Sequence, residues 1–109
     1  MAVDNFAVFD DSNFDAQVLV RDGLTVVDFW STTCVPCKQL KKVLGQVAED
    51  VPETVVIGTV NGDENQDLLA RYGVRGFPTL LFIKNGEVVE TRTGVDRKQV
   101  LKKVIETHA

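Results

Sequence analysis

Two cysteines, Cys34 and Cys37, stand two residues apart between an apolar run and an amphipathic one, and no other feature constrains the chain as much. Upstream, Thr25-Val26-Val27-Asp28-Phe29-Trp30 reads as a buried strand of β-branched and aromatic residues. Downstream, Cys37, Leu40, Val43, Leu44, Val47 and Ala48 recur at helical spacing, and Pro52 is expected to end that helix. Cys34 falls where the helix begins. Pro36 suits the first turn, where its missing N–H costs no hydrogen bond. Unpaired backbone N–H groups and the positive end of the helix dipole favour an anion there, so the Cys34 thiol is expected to ionise below its ordinary range. Cys37 lies one turn along, within reach of a disulfide. A pair that interconverts between dithiol and disulfide, with one activated sulfur, is a two-electron redox device.

Two other readings compete. An inert staple is disfavoured because so short a loop removes little unfolded-chain entropy. Half of a metal site is the second. Zinc takes four ligands, and two cysteines with the lone His108 do not supply them within one chain; a cluster shared between two chains stays open. The length of 109 residues predicts a single domain, 1–109. Twelve basic and sixteen acidic residues leave a net charge of −4, which argues against nucleic acid and anionic membrane as partners. No apolar run reaches the length of a membrane span, and Met1-Ala2-Val3-Asp4 shows neither a basic nor an apolar leader region. A cytoplasmic chain is expected.

The remaining elements follow from local patterns. Residues 6–9 suggest a first strand, and Ser12 with Asp15 resembles a capping box for a helix carrying Phe14, Val18 and Leu19, stopped at Gly23. A third strand is expected over 54–60, a turn at Asn61-Gly62-Asp63, and a helix over 65–72 ended by Gly73. Residues 80–83 form the next strand, Asn85-Gly86 marks a hairpin, and 87–93 return antiparallel. Asp96 with Gln99 is expected to cap a last helix whose apolar face is Val100, Leu101, Val104 and Ile105. Crossover helices imply parallel pairing and the hairpin antiparallel pairing, so the fold class is α/β with a mixed sheet covered on both faces. Reactive groups in such sheets lie beyond the carboxyl ends of strands, where Trp30 delivers Cys34. Asp28 has two readings: a strand-end carboxylate facing water, or a desolvated acid of raised pKa that carries protons for Cys37.

Over nearly its whole length the chain resembles the thioredoxin family. The resemblance rests on Val27-Asp28-Phe29-Trp30, Cys34-Val35-Pro36-Cys37-Lys38, Tyr72-Gly73-Val74-Arg75-Gly76-Phe77-Pro78-Thr79, Lys84-Asn85-Gly86-Glu87 and Gly94. It implies the thioredoxin fold and a protein-disulfide reductase that needs no bound cofactor. Cys34 would be the nucleophile, Cys37 the resolving thiol and Asp28 the proton carrier. Pro78 would follow a cis peptide bond, and the Phe77 backbone would pair with a substrate segment. Trp30, Thr33, Val35, Pro36, Val74, Gly76 and Gly94 would complete the contact surface. Implied partners are disulfide-containing client proteins and a thioredoxin reductase, NADPH- or ferredoxin-dependent, with the protein itself a monomer. An oxidase or isomerase of the same fold, or a non-catalytic binding module, are the alternatives.

The departures from the family pattern carry their own expectations. Thr33 and Val35 replace a common Trp and Gly, which removes apolar surface and stiffens the link between the sulfurs. Lys42 stands where a proline often kinks the helix. Thr59 stands where a lysine often accompanies the buried aspartate, so Asp28 is expected to lack a nearby cation and to stay protonated at neutral pH.

Overall fold

The structure, a computed structural model, describes residues 6–109. The chain start read above for a leader lies outside the described residues. Among those described, the strands β1 (Ala7–Phe9), β2 (Leu24–Trp30), β3 (Val56–Asn61), β4 (Thr79–Lys84) and β5 (Glu87–Thr93) form one sheet in the order β1-β3-β2-β4-β5. Strands β1 and β2 run parallel to β3, β4 is antiparallel to β2, and β5 is antiparallel to β4. The mixed α/β sheet expected from the element order is the one observed. Three helices, α1 (Val35–Ala48), α2 (Gln66–Tyr72) and α3 (Lys98–His108), with a π-type turn at Asp15–Leu19, cover it.

The alternation of side chains along β2 divides the core into two layers. Leu24 and Val26 pack with Leu40, Leu44 and Val47 of α1 and with Leu101 and Ile105 of α3. Val27 and Phe29 face the other way, onto Phe14, Val18 and Leu68. Each such side chain contributes about 1.5–3 kcal/mol by leaving water. Asp28 shares its face with Val26 and is only 1% exposed, so it sits under α1 and the water-facing reading is wrong. The hairpin forms at Asn85-Gly86, both at positive φ (54° and 82°), as a turn matched to strand twist requires.

Several local expectations are corrected. Ser12 does not cap the first helical turn: its hydroxyl is turned to the Asp10 carboxylate at 2.7 Å, which also accepts the N–H groups of Ser12 and Asn13 at 2.9 Å. Asp15 is drawn outward to Arg71, 2.6 Å away. Asp96 likewise accepts from Arg92 Nε at 2.9 Å, and α3 begins without a side-chain cap. In both places a charged partner outcompetes a neutral backbone donor. Strand β3 starts at Val56 rather than Thr54, because the Thr54 carbonyl accepts from Arg21 at 2.6 Å and the Val55 N–H turns back to Pro52. Helix α1 stops at Ala48, before Pro52, where the Glu49 and Asp50 N–H groups tighten onto Gln46 and Val47.

The first turn therefore hangs on Asp10. Asp10→Ala is expected to lower the urea midpoint of unfolding, while Ser12→Ala moves it by much less; the opposite ranking would restore the capping box.

Candidate active site

The head of α1 is built on sulfur. Cys34, in extended conformation, is the N-cap residue, and its Sγ accepts the Cys37 N–H at 3.1 Å. Pro36 occupies the first turn. A disulfide joins Cys34 to Cys37, whose Cα atoms are 5.4 Å apart. The two sulfurs differ in access: Cys37 is 4% exposed, whereas Cys34 is half-buried at the rim. Val35 between them is 76% exposed, an apolar side chain left on the surface.

Beneath the disulfide lies a cavity of about 150 Å³ lined by Asp28, Trp30, Ser31, Thr32, Cys34, Cys37, Lys38 and Lys41. Asp28 Oδ1 is buried there and, among the described residues, has no hydrogen-bond partner. Burial pushes the Asp28 carboxyl up to about 7, and the positive charge of Lys41 acts against that rise. One expectation is corrected here. Thr59 does lie beside Asp28 in the β2–β3 register, but a cation acts on the carboxylate from α1 instead of β3. The carboxyl, raised to about 7, changes state near neutrality.

Sheet register gathers the other candidates at the same end of the molecule. Trp30 ends β2 opposite Asn61, Phe29 is paired with Thr79, and Thr79 with Thr93. The loops after β2 and β3, before β4 and after β5 therefore share one edge of the sheet. The Phe77–Pro78 peptide bond is cis. Pro78 is buried and its carbonyl accepts the Gly94 N–H at 3.0 Å, so these two residues are tied together. Gly76 accepts from the Thr79 hydroxyl at 2.7 Å. Val74 and Gly76 do not line the disulfide cavity; with Arg75, Thr91 and Thr93 they line a separate depression of about 230 Å³. Thr33 is exposed, its hydroxyl 3.4 Å from that of Ser31.

Sequence reasoning does not single out Ser31, Thr32, Lys38 or Lys41 as site residues. A signal for the lysines exists, since Cys34, Cys37, Lys38 and Lys41 follow one helix face. For Thr32 there is none, because its partner Asp63 is distant in sequence.

A disulfide at the head of a helix, one sulfur at the rim and the other over a buried carboxyl, defines a thiol–disulfide oxidoreductase. The thioredoxin family's sequence profile matches residues 5–107. Thioredoxin of Pseudomonas aeruginosa is 43% identical over 84% of this chain and 84% of its own length. Thioredoxin of Chlorobaculum thiosulfatiphilum is 39% identical, covering 90% and 91%, and that of Bacillus subtilis 37%, covering 90% and 92%. The chain belongs to the thioredoxin family. It is a protein-disulfide reductase of the thioredoxin type, served by a reductase and acting on disulfide-bearing clients. Among the described residues no helix is long and apolar enough to cross a membrane.

The buried carboxyl makes stability fall with rising pH. The folded state holds the Asp28 proton up to about pH 7, whereas the unfolded chain releases it near the ordinary value of 3.8. Between those values the folded state binds more protons, so stability is fully present below the lower one and lost as pH rises through the upper. Asp28→Asn cannot ionise and escapes the loss. Its urea unfolding free energy relative to the parent is expected to grow by about 4 kcal/mol between about pH 4 and about pH 9. A difference that stays flat with pH would show that the carboxyl titrates normally.

Proposed function

We propose that Cys34 attacks the client disulfide, Cys37 resolves the mixed disulfide, and Asp28 takes and returns the Cys37 proton. The carrying observation is the asymmetry of the pair: Cys34 Sγ sits at the rim against the Cys37 N–H, while Cys37 is 4% exposed above Asp28. In the reduced protein the Cys34 thiolate attacks one client sulfur. The client S–S bond breaks, its departing sulfur gains a proton, and a Cys34–client disulfide forms. Cys37 then gives its proton to Asp28 and attacks Cys34 Sγ; the Cys34–client bond breaks, the Cys34–Cys37 disulfide closes, and the released client thiolate takes its proton from water. The client gains two electrons and two protons, and the protein's dithiol supplies the electrons.

The client lies across the surface made by Trp30, Thr33, Val35 and Pro36 on the sulfur side and by Val74, Gly76, Phe77, Pro78 and Gly94 on the other. The Phe77 backbone pairs with an extended client segment as a short added strand. The exposed Val35 supports this reading, since an apolar side chain in water beside the reactive sulfur gains by being covered. Electrons return from a thioredoxin reductase, NADPH- or ferredoxin-dependent. The protein works as a single domain, 1–109, as a monomer in the cytoplasm, where reducing conditions keep a reversible dithiol in use.

Cys34→Ser is expected to lose protein-disulfide reduction by roughly a thousandfold or more. Cys37→Ser should instead accumulate a client-linked species on a non-reducing gel, released by dithiothreitol. Trapping by Cys34→Ser rather than by Cys37→Ser would reverse the two roles.

A further inference from the structure

The short 3₁₀ turn Gly62–Glu64 after β3 touches two of the loops that meet at the disulfide, by two unrelated kinds of contact. The first is a hydrogen-bonded clamp. Asp63 Oδ2 accepts both the Thr32 N–H at 2.9 Å and the Thr32 hydroxyl at 2.7 Å, so the loop carrying Cys34 is held at its backbone. Those two bonds hold the Asp63 carboxyl below its ordinary range, so it remains an acceptor through neutral pH.

The second contact is a missing atom. Gly62 is buried, and a Cβ placed on it would lie 2.5 Å from both Cε1 and Cζ of Phe77 and 3.1 Å from the Trp30 carbonyl oxygen. The Phe77 ring therefore occupies the space that any other residue at 62 would need. Phe77 precedes Pro78, so the seating of this ring sets where the Phe77 backbone lies relative to Trp30. Its ring is partly buried, packed against the core layer that contains Phe14, Phe29 and Leu68.

The turn is itself fixed to the scaffold. Asn61 Oδ1 accepts the Asp63 N–H at 2.9 Å, Asn65 Nδ2 donates to the Asn61 carbonyl at 2.8 Å, and Asn65 Oδ1 accepts the Asp11 N–H at 2.9 Å. Asn65 is 6% exposed, so the two bonds it makes are partly sheltered from water, while the Asn61–Asp63 bond lies at the surface.

We propose that the Gly62–Glu64 turn is a positioning element that sets the client-pairing backbone at Phe77 against the Cys34 loop, through the Phe77 ring seated on Gly62 and the Thr32 clamp on Asp63. This rests on the reading of Phe77 and Pro78 as the client-pairing segment. Its consequence is selective. A small disulfide needs only the sulfurs, whereas an extended protein segment needs both loops at the correct separation, and an error of about 1 Å costs up to about a hundredfold.

The test compares Gly62→Ala with the parent on two substrates, insulin and bis(2-hydroxyethyl) disulfide, with dithiothreitol as electron source. Expected for Gly62→Ala is a KM for insulin raised roughly tenfold, with the small-disulfide rate kept within about twofold. Adding Phe77→Leu to Gly62→Ala, which vacates the space the new methyl needs, should recover most of the insulin KM; a merely structural glycine would show no such rescue. An unchanged insulin KM, a parallel fall on both substrates, or the absence of rescue overturns the positioning role. Pro78→Ala separates the two levels. If it raises the insulin KM and Gly62→Ala does not, only the positioning role falls; if neither does, the client-pairing reading falls with it. Should Gly62→Ala fail to fold, Phe77→Leu alone loosens the same contact from the other side and is expected to raise the insulin KM several-fold, an unchanged KM again overturning the role.

Discussion

Strand β2 is hydrogen-bonded along both edges and covered on both faces, and every reactive group depends on that confinement. A strand so enclosed cannot shift its register without turning one hydrophobic layer into the other. Its carboxyl end therefore delivers Trp30 and the Cys34 loop to a defined place, and α1 starts from there. The same confinement withholds water from Asp28. A carboxyl at the surface would be an ordinary acid; between β2 and α1 it holds its proton to about pH 7.

That arrangement opposes stability and serves chemistry. An unpartnered carboxylate oxygen inside the core is costly, and apolar residues on the same face of the sheet offset the cost. What it gains is a proton site that changes state near neutrality beside a thiol that must lose a proton. Lys41 moderates the effect from the helix. The charge acts across the same cavity that holds the sulfurs, so the electrostatics of the carboxyl and of the disulfide share one small volume.

Much of this was legible along the chain. The strand from Thr25 to Trp30, the helix with its head at Cys34, the Asn85-Gly86 hairpin and the resemblance carried by Gly76-Phe77-Pro78-Thr79 all rest on short-range patterns. The errors share one cause. Local sequence offers Ser12, Asp15 and Asp96 each a neighbouring backbone donor, and in the fold each takes a different partner, Asp10, Arg71 or Arg92. A capping pattern is visible in sequence; a competing charge brought close by folding is not. The cation near Asp28 is hidden from sequence for the same reason: Thr59 stands beside Asp28 on β3, and the charge comes from Lys41 on α1.

From its sequence alone this chain could be read as an α/β protein with a redox-active cysteine pair at a helix head, since hydrophobic period, turn residues and residue spacing act over a few positions. The tertiary structure decided which carboxyl is dry, which sulfur is reachable, and which loops meet. Those depend on separations between residues far apart in the chain: Thr32 with Asp63, Gly62 with Phe77, Asp28 with Lys41. Desolvation and steric fit are set by everything packed around a group, and that surrounding exists only once the sheet has closed between its helices.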